Sequence, residues 1–298
     1  MSPRAAGILC LLSTAVGWAI NWPTVKVLLE DWPPLFARGL AGMIAGSALL
    51  ALAATRGEVL RVRRNEVPRL LAAAFTNVFA WMGAASIAML WLTVSECALL
   101  VYTMPLWTTL FSWPALGERP STRGFIALLL GLAGVWTLLA GAHFGHDGTV
   151  AIGIALSLGS AICFALGAVL NRKPLSLGSF ALTGWQVLLG CLPMLVISLI
   201  FEKPEVGRLT GAGLAAFIYM TLVPMGLCYV TWFATLRRLP ATMASTGMLI
   251  VPVLGIVLAT LTLGEPLGLR EVGAMLLTLG GVALALVKPP RKAALTLE

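Results

Sequence analysis

Charge is scarce in this chain. Aspartate, glutamate, lysine and arginine make up 11% of the 298 residues, against about 25% in an ordinary soluble domain. So few charges cannot cover a hydrated surface, and apolar residues fill 59% of the sequence. The composition predicts a surface that faces lipid. Histidine is nearly missing: His143 and His146 sit together in GAHFGHDG, which reads as a solvated loop. The five cysteines (Cys10, Cys97, Cys163, Cys191 and Cys228) stand singly. No C-x-x-C pair occurs, so neither a disulfide framework nor a zinc site is expected. H-E-x-x-H, G-x-S-x-G and glycine-rich phosphate loops are also lacking. These absences argue against an enzyme, a metal protein and an ATP-driven pump, and no cofactor is expected. The formal charge of +8 would suit a nucleic-acid binder. The basic residues instead gather in short loops between apolar runs, which is a topology signal, and nucleic acid is not an expected partner.

What is present is length of apolar sequence. A helix needs roughly 20 apolar residues to cross a bilayer. Ten segments meet or approach that length, near 5–27, 34–54, 68–90, 95–115, 121–140, 150–171, 178–201, 210–233, 241–262 and 268–287. They run without the ten-residue alternation of a barrel, so helices are expected. The first run exceeds a signal-peptide core of about 7–15 residues and is read as a retained span. The least distinct boundary is LWLTVSE, between the third and fourth runs. With the N-terminus in the cytoplasm, fifteen Lys and Arg fall inside and four outside, while Arg38 lies within the second span. That asymmetry predicts that both termini are cytoplasmic, in a bacterial-type inner membrane.

The chain also repeats itself. VPVLGIVLATLTLGEPLGLR at 251–270 echoes MPLWTTLFSWPALGERPSTR at 104–123. Pro105 and Pro252 are 147 positions apart, as are Gly117 and Gly264, Glu118 and Glu265, Arg123 and Arg270, and Gly134 and Gly281. Ser13 with Ser160 and Lys26 with Lys173 keep the same offset. Each copy holds five spans, an odd number, so the second copy must enter the membrane from the opposite side. The expected domains are 1–142 and 148–290, followed by a cytoplasmic tail at 291–298. Inverted repeats suit a secondary transporter with its site near the midplane between the halves. Proline inside a helix removes a donor and frees a carbonyl. Pro105 and Pro252, as a symmetric pair, are candidate gating hinges, with a static kink the alternative. Glu118 and Glu265 each precede the next helix, where a carboxylate can accept backbone donors, with a hinge or gate latch the alternative.

GWAINWPTVK in the first span, Pro105…LGERP…R and Pro252…LGEP…R resemble the EamA-type branch of the drug/metabolite transporter superfamily over the whole chain. Within it the chain looks most like the YddG-type exporters of aromatic and other amino acids. The resemblance implies an all-α integral membrane protein of ten helices in two inverted five-helix repeats. It also implies a cavity lined by spans 1, 3, 4, 6, 8 and 9. One departure stands out: Ala165 occupies the position that repeats Trp18.

Polar and aromatic residues in those spans are candidate substrate contacts: Trp18, Asn21, Asn77, Trp81, Tyr102, Tyr229, Ser245 and Met248, with Trp185 and Gln186 early in the seventh span. An amide in lipid needs a partner, so Asn21 and Asn77 should face the protein interior, either as cavity groups or as helix-to-helix bonds. Trp32, Trp91 and Trp113 are read as interfacial belt residues. Gly42 and Gly46 form a G-x-x-x-G suited to close internal packing. Aromatic walls with a few amides suit a neutral or zwitterionic amphiphile, an amino acid foremost. Arg38 is open to two readings, a carboxylate contact or a snorkelling side chain. No Asp or Glu falls in the middle of a span, which argues against proton antiport of drugs or organic cations. That antiport is the alternative function, and an intramembrane enzyme is less favoured. The expected partners are a small-molecule substrate and the bilayer, with the oligomeric state open and a monomer sufficient.

Overall fold

The computed structural model describes residues 2–117, 122–140, 148–171, 174–240, 243–244 and 247–286, and the described residues contain helices and no strand. Ten helical passes follow one another: α1 (Pro3–Leu28), α2 (Pro34–Thr55), α3 (Arg64–Ala88), α4 (Val94–Ala115), α5 (Thr122–Ala140), α6 (Thr149–Leu170), α7 (Ser179–Glu202), α8 (Gly211–Leu236), α9 (Ile250–Leu263) and α10 (Leu269–Leu286). Seven of them, α1 to α4 and α6 to α8, are long and apolar enough to cross a membrane, and α5 and α9 are shorter apolar helices. Large apolar side chains point outward, among them Trp136, Phe201, Leu261 and Leu276. Lipid receives such a surface where water would not. The chain is an all-α integral membrane protein. The two His of GAHFGHDG and the carboxylate of Glu118 lie outside the described residues.

Helix ends follow from local chemistry. Ser2 caps α1, its Oγ accepting the Ala5 N–H at 3.2 Å, with Pro3 in the first turn. The LWLTVSE boundary is a capping box. Thr93 Oγ1 accepts the Glu96 N–H at 3.1 Å, and Glu96 accepts the Thr93 N–H at 3.0 Å. T-x-x-E before an apolar run is the sequence mark of that device. The Leu-Gly-Glu punctuation has its reason too. Gly117 and Gly264 take φ of 70° and 68° at the C-termini of α4 and α9, a left-handed turn that glycine adopts without strain.

The two halves interlock about a pseudo-two-fold axis that runs across the paired helices. Near Gly134 on α5 come Thr278 and Ala274 of α10, and near Gly281 on α10 come Ala127 and Gly131 of α5. Each contact is the repeat image of the other, which is the signature of an isologous pair. Partner numbers fall on α10 as they rise on α5, so the helices are antiparallel. The α2–α7 seam behaves likewise: Gly39 meets Leu195, Gly42 meets Cys191, Gly46 meets Leu188, and Gly184 meets Leu50. The G-x-x-x-G of α2 is thus an internal packing surface. These pairs relate Gly39 to Gly184 and Leu50 to Leu195, an offset of 145 rather than 147. The copies therefore differ by a short insertion and deletion around their second and third spans.

Carboxylates tie the halves together at both ends. Glu202, the last residue of α7, accepts the Leu35 and Phe36 N–H groups of α2 at 3.2 and 3.0 Å. Glu58, just beyond α2, accepts the Ala181 N–H of α7 at 2.8 Å. Neither α2 nor α7 has a side-chain cap of its own at its first residue. Asp31 accepts the Thr210 N–H at 2.9 Å, and its repeat image is the Ser176 N–H donating to Glu66 at 3.0 Å. Glu58→Ala and Glu202→Ala are each expected to lower stability by about 1–2 kcal/mol, the usual worth of a helix cap. Thermal denaturation in detergent checks this. Equal losses in the two variants fit the pseudo-symmetry, whereas a loss in only one would mean that the caps are not equivalent.

Candidate functional site

The central helices are broken where the cavity is expected. In α4 regular helix stops at Val101, turns at Tyr102 and Thr103, and restarts at Met104 with Pro105 in its first turn. In α9 a turn at Met248 and Leu249 precedes Ile250, with Pro252 in the first turn. Proline has no N–H to lose at the start of a helix, so each one begins the second half of its span. Two counterpart helices are loosened as well. Phe75–Gly83 of α3 and Val223–Leu227 of α8 are π-helical. Such bulges are frequent at functional sites because they free and re-aim backbone groups. One freed carbonyl is that of Pro224, which accepts the Trp18 Nε1–H at 3.0 Å.

Aromatic rings gather around these breaks. Trp18 packs on Tyr229 and Trp232, with ring centres 5.8 and 6.0 Å away. Trp22 lies 6.1 Å from Tyr102, and Trp81 lies 5.4 Å from Phe164. Counting 1.5 Å per residue from the far helix ends, Asn21, Trp81 and Tyr102 share a depth of about 10–12 Å. Two polar atoms at that depth have no partner. Asn21 Oδ1, an acceptor, and Trp81 Nε1, a donor, are buried and unbonded. A buried group left this way costs about 1–3 kcal/mol, so the pair marks a place where a ligand or water completes the bonding.

The remaining sequence candidates divide. Asn77 Nδ2 donates to Gln186 Oε1 at 3.2 Å, joining α3 to α7. Tyr229 stacks on Phe233 and meets Trp18 edge to face. Met248 packs against the main core from the α9 break. Trp185 stands apart: its Nε1–H donates to the Leu60 carbonyl in the α2–α3 connection at 2.9 Å. Ser245 lies outside the described residues. Trp32 is not a belt residue. It is buried between Phe36 and Phe217, because α2 and α8 close over it. Trp113 is exposed, as an interfacial residue should be. Sequence reasoning passed over Trp22, Phe164 and Trp232. For Trp22 the signal was present: it follows Trp18 by four residues, which places both on one helical face.

The far end of the bundle, opposite the N-terminus, is clasped. Lys26 Nζ donates to the Met89 and Leu92 carbonyls at the end of α3. Glu265, in the α9–α10 connection, accepts the Val94 N–H at 2.8 Å and the Ser95 N–H at 3.3 Å. The expectation that Glu265 caps the following helix is corrected here. It caps α4 of the other half, while α10 is served by Glu271, which accepts the Gly268 N–H at 2.9 Å. Among the described residues no group of three His, Cys, Asp or Glu is placed to hold a metal.

The model of the EamA-like transporter family matches residues 5–140 and 151–287. The chain belongs to the EamA-like transporter family. As a member it is a membrane transporter, and the two matched stretches carry one half of the bundle each. A Bacillus subtilis (strain 168) protein described as uncharacterized transporter YvbV is 28% identical over 287 residues, 96% of this chain and 93% of its own. A probable amino-acid metabolite efflux pump of Escherichia coli (strain K12) is 27% identical over 290 residues, covering 93% of each chain. A crystal structure superimposes with a TM-score of 0.66 over 95% of this chain and 96% of its own, at 21% identity. That last likeness concerns the fold alone.

Proposed function

We propose that this EamA-family transporter exports small amphiphilic metabolites, foremost aromatic and other neutral amino acids, by alternating access around the cavity between α1, α3, α4, α6, α8 and α9. The two repeats, 1–142 and 148–290, would rock against each other in a bacterial inner membrane, with both termini and the tail at 291–298 in the cytoplasm. The far end of the bundle is then the outer face. The carrying observation is the pair of unbonded atoms, Asn21 Oδ1 and Trp81 Nε1, beside aromatic rings. An α-amino acid supplies a donor for the first, an acceptor for the second and an apolar group for the rings. The named activity of the Escherichia coli relative points the same way.

Proton antiport of cationic drugs is the rival. It needs a carboxylate free to titrate at depth. Among the described residues, Glu58, Glu202 and Glu265 bind backbone N–H groups of other helices, and Glu96 closes its own capping box. Counterflow in proteoliposomes tests the reading, with amino acids, nucleosides, sugar phosphates and organic cations as the panel. Internal tryptophan or phenylalanine should accelerate uptake of the same labelled solute. Asn21→Ala and Trp81→Phe should each weaken apparent affinity about 5- to 50-fold, the worth of one buried hydrogen bond. Uptake of organic cations alone, steeply dependent on pH, would replace this reading with the rival.

A further inference from the structure

Arg38 is a buried cation with no counter-ion. It stands in the first turns of α2, is 7% exposed, and keeps its guanidinium inside the bundle. Its Nε–H donates to Ser86 Oγ of α3 at 3.1 Å. Among the described residues neither terminal nitrogen has a hydrogen-bond acceptor and no carboxylate pairs with it. Other cations are provided for. Lys26 holds two carbonyls, and Arg270 lies 2.7 Å from Glu271 and 3.6 Å from Glu96. Of the two readings of the sequence, a side chain that snorkels to water fits less well, because Arg38 is buried and bonded to Ser86 within the bundle.

An unpaired guanidinium in a protein interior is costly, and the cost falls only if an anion arrives. Four N–H donors in a planar fork match a carboxylate in two parallel bonds. Two further unfilled groups lie deeper in the bundle: the Trp81 N–H on α3, the helix that carries Ser86, and the Asn21 Oδ1 on α1.

We propose that Arg38 is the anchor for the carboxylate of the transported solute, held in position by Ser86, and that the substrate class is therefore defined by a free carboxylate beside an apolar group. This rests on the cavity being the transport site described above. It makes a sharper demand than amphiphilicity: amides, esters and amines of the same side chain should be poor substrates.

The test uses full-length protein in proteoliposomes, each batch loaded with one labelled solute: phenylalanine, phenylalaninamide, phenethylamine or phenylpyruvate. Protein-dependent efflux of each label is measured separately. The wild type should prefer phenylalanine to phenylalaninamide at least about 10-fold, the worth of one charge-assisted hydrogen bond. Arg38→Gln should bring that ratio to about 2 or less, by losing phenylalanine and not the amide. Arg38→Lys keeps the charge without the fork and should give an intermediate ratio, and Ser86→Ala should lower the ratio less than Arg38→Gln does. An unchanged ratio in Arg38→Gln overturns the proposal, as does an equal loss for all four solutes, which is what a purely structural arginine would give. Should Arg38→Gln fail to fold, the ratio in Arg38→Lys decides: a wild-type value there counts against the fork. The amino-acid reading fails separately. Transport of phenylpyruvate but not phenylalanine, abolished by Arg38→Gln, would sink that reading and leave the carboxylate anchor standing.

Discussion

Removing the Glu265 carboxylate is expected to open the far end of the bundle, the outer face in the proposed topology. In the described conformation that carboxylate receives two backbone N–H groups at the N-terminus of α4, at 2.8 and 3.3 Å. It reaches them from the α9–α10 connection, so it bridges the two halves on the far-end side of the aromatic cluster. A charged acceptor at a helix N-terminus gains from both the hydrogen bonds and the helix dipole. Partly buried, it should contribute about 1–3 kcal/mol to the closed arrangement, which is about a 5- to 100-fold shift in a two-state equilibrium. Glu265→Ala loses all of this, and Glu265→Gln keeps one neutral acceptor and should fall between. The measurement is labelling by a membrane-impermeant maleimide of a cysteine placed at Tyr102, in a background without the five native cysteines. Labelling from outside should rise about 10-fold or more in Glu265→Ala. Identical labelling rates in wild type and both variants would mean that the clasp does not hold the gate.

The second large effect is at the α5–α10 crossing. A Cβ on Gly134 would lie 2.7 Å from the Thr278 nitrogen and 2.9 Å from the Ala274 oxygen, both backbone atoms. A Cβ on Gly281 would lie 2.7 Å from the Ala127 oxygen and 2.9 Å from the Gly131 nitrogen. Backbone cannot step aside as a side-chain tip can, so the helices themselves must part. Each alanine substitution should cost about 1–3 kcal/mol, and leucine at either place should prevent a monodisperse protein. Gly280, with nothing near its would-be Cβ, is the control and should accept alanine with little change. Thermal stability in detergent reads all three. The two-fold relation makes a stricter demand: Gly134→Ala and Gly281→Ala should lose similar amounts. A wide gap between them would contradict the isologous contact.

The spans were legible because lipid leaves the backbone no other choice. A continuous apolar run of about 20 residues must satisfy its own N–H and C=O groups, and a helix does so. The duplication was legible because the cassettes carry residues with backbone duties. Gly117 and Gly264 must turn left-handed, and Pro105 and Pro252 must start a helical segment, so neither pair could drift. Where no such duty applied, the constant offset misled: α2 and α7 are related by 145 positions, visible only once Gly39 is seen against Leu195 and Gly184 against Leu50. The α3–α4 boundary was legible in Thr93 and Glu96, although the sequence reading did not take them as a capping box.

The candidate site was less legible. Asn21, Trp81 and Asn77 were all read as interior polar groups, and the sequence treats them alike. Asn77 finds Gln186 on α7, whereas Asn21 and Trp81 keep one unbonded atom each. Trp185 turned to the Leu60 carbonyl, and Trp32 was enclosed by α2 and α8.

By itself the sequence determined the number of helices, their alternating direction and the inversion of the halves, since each follows from counting apolar residues and matching punctuation along one chain. Only the tertiary structure decided which helix end each carboxylate meets, which amide is paired and which cation is left without a counter-ion. A residue's chemistry states that it needs a partner. The crossing of distant helices, set by glycine contacts a hundred or more positions apart, states whether a partner comes.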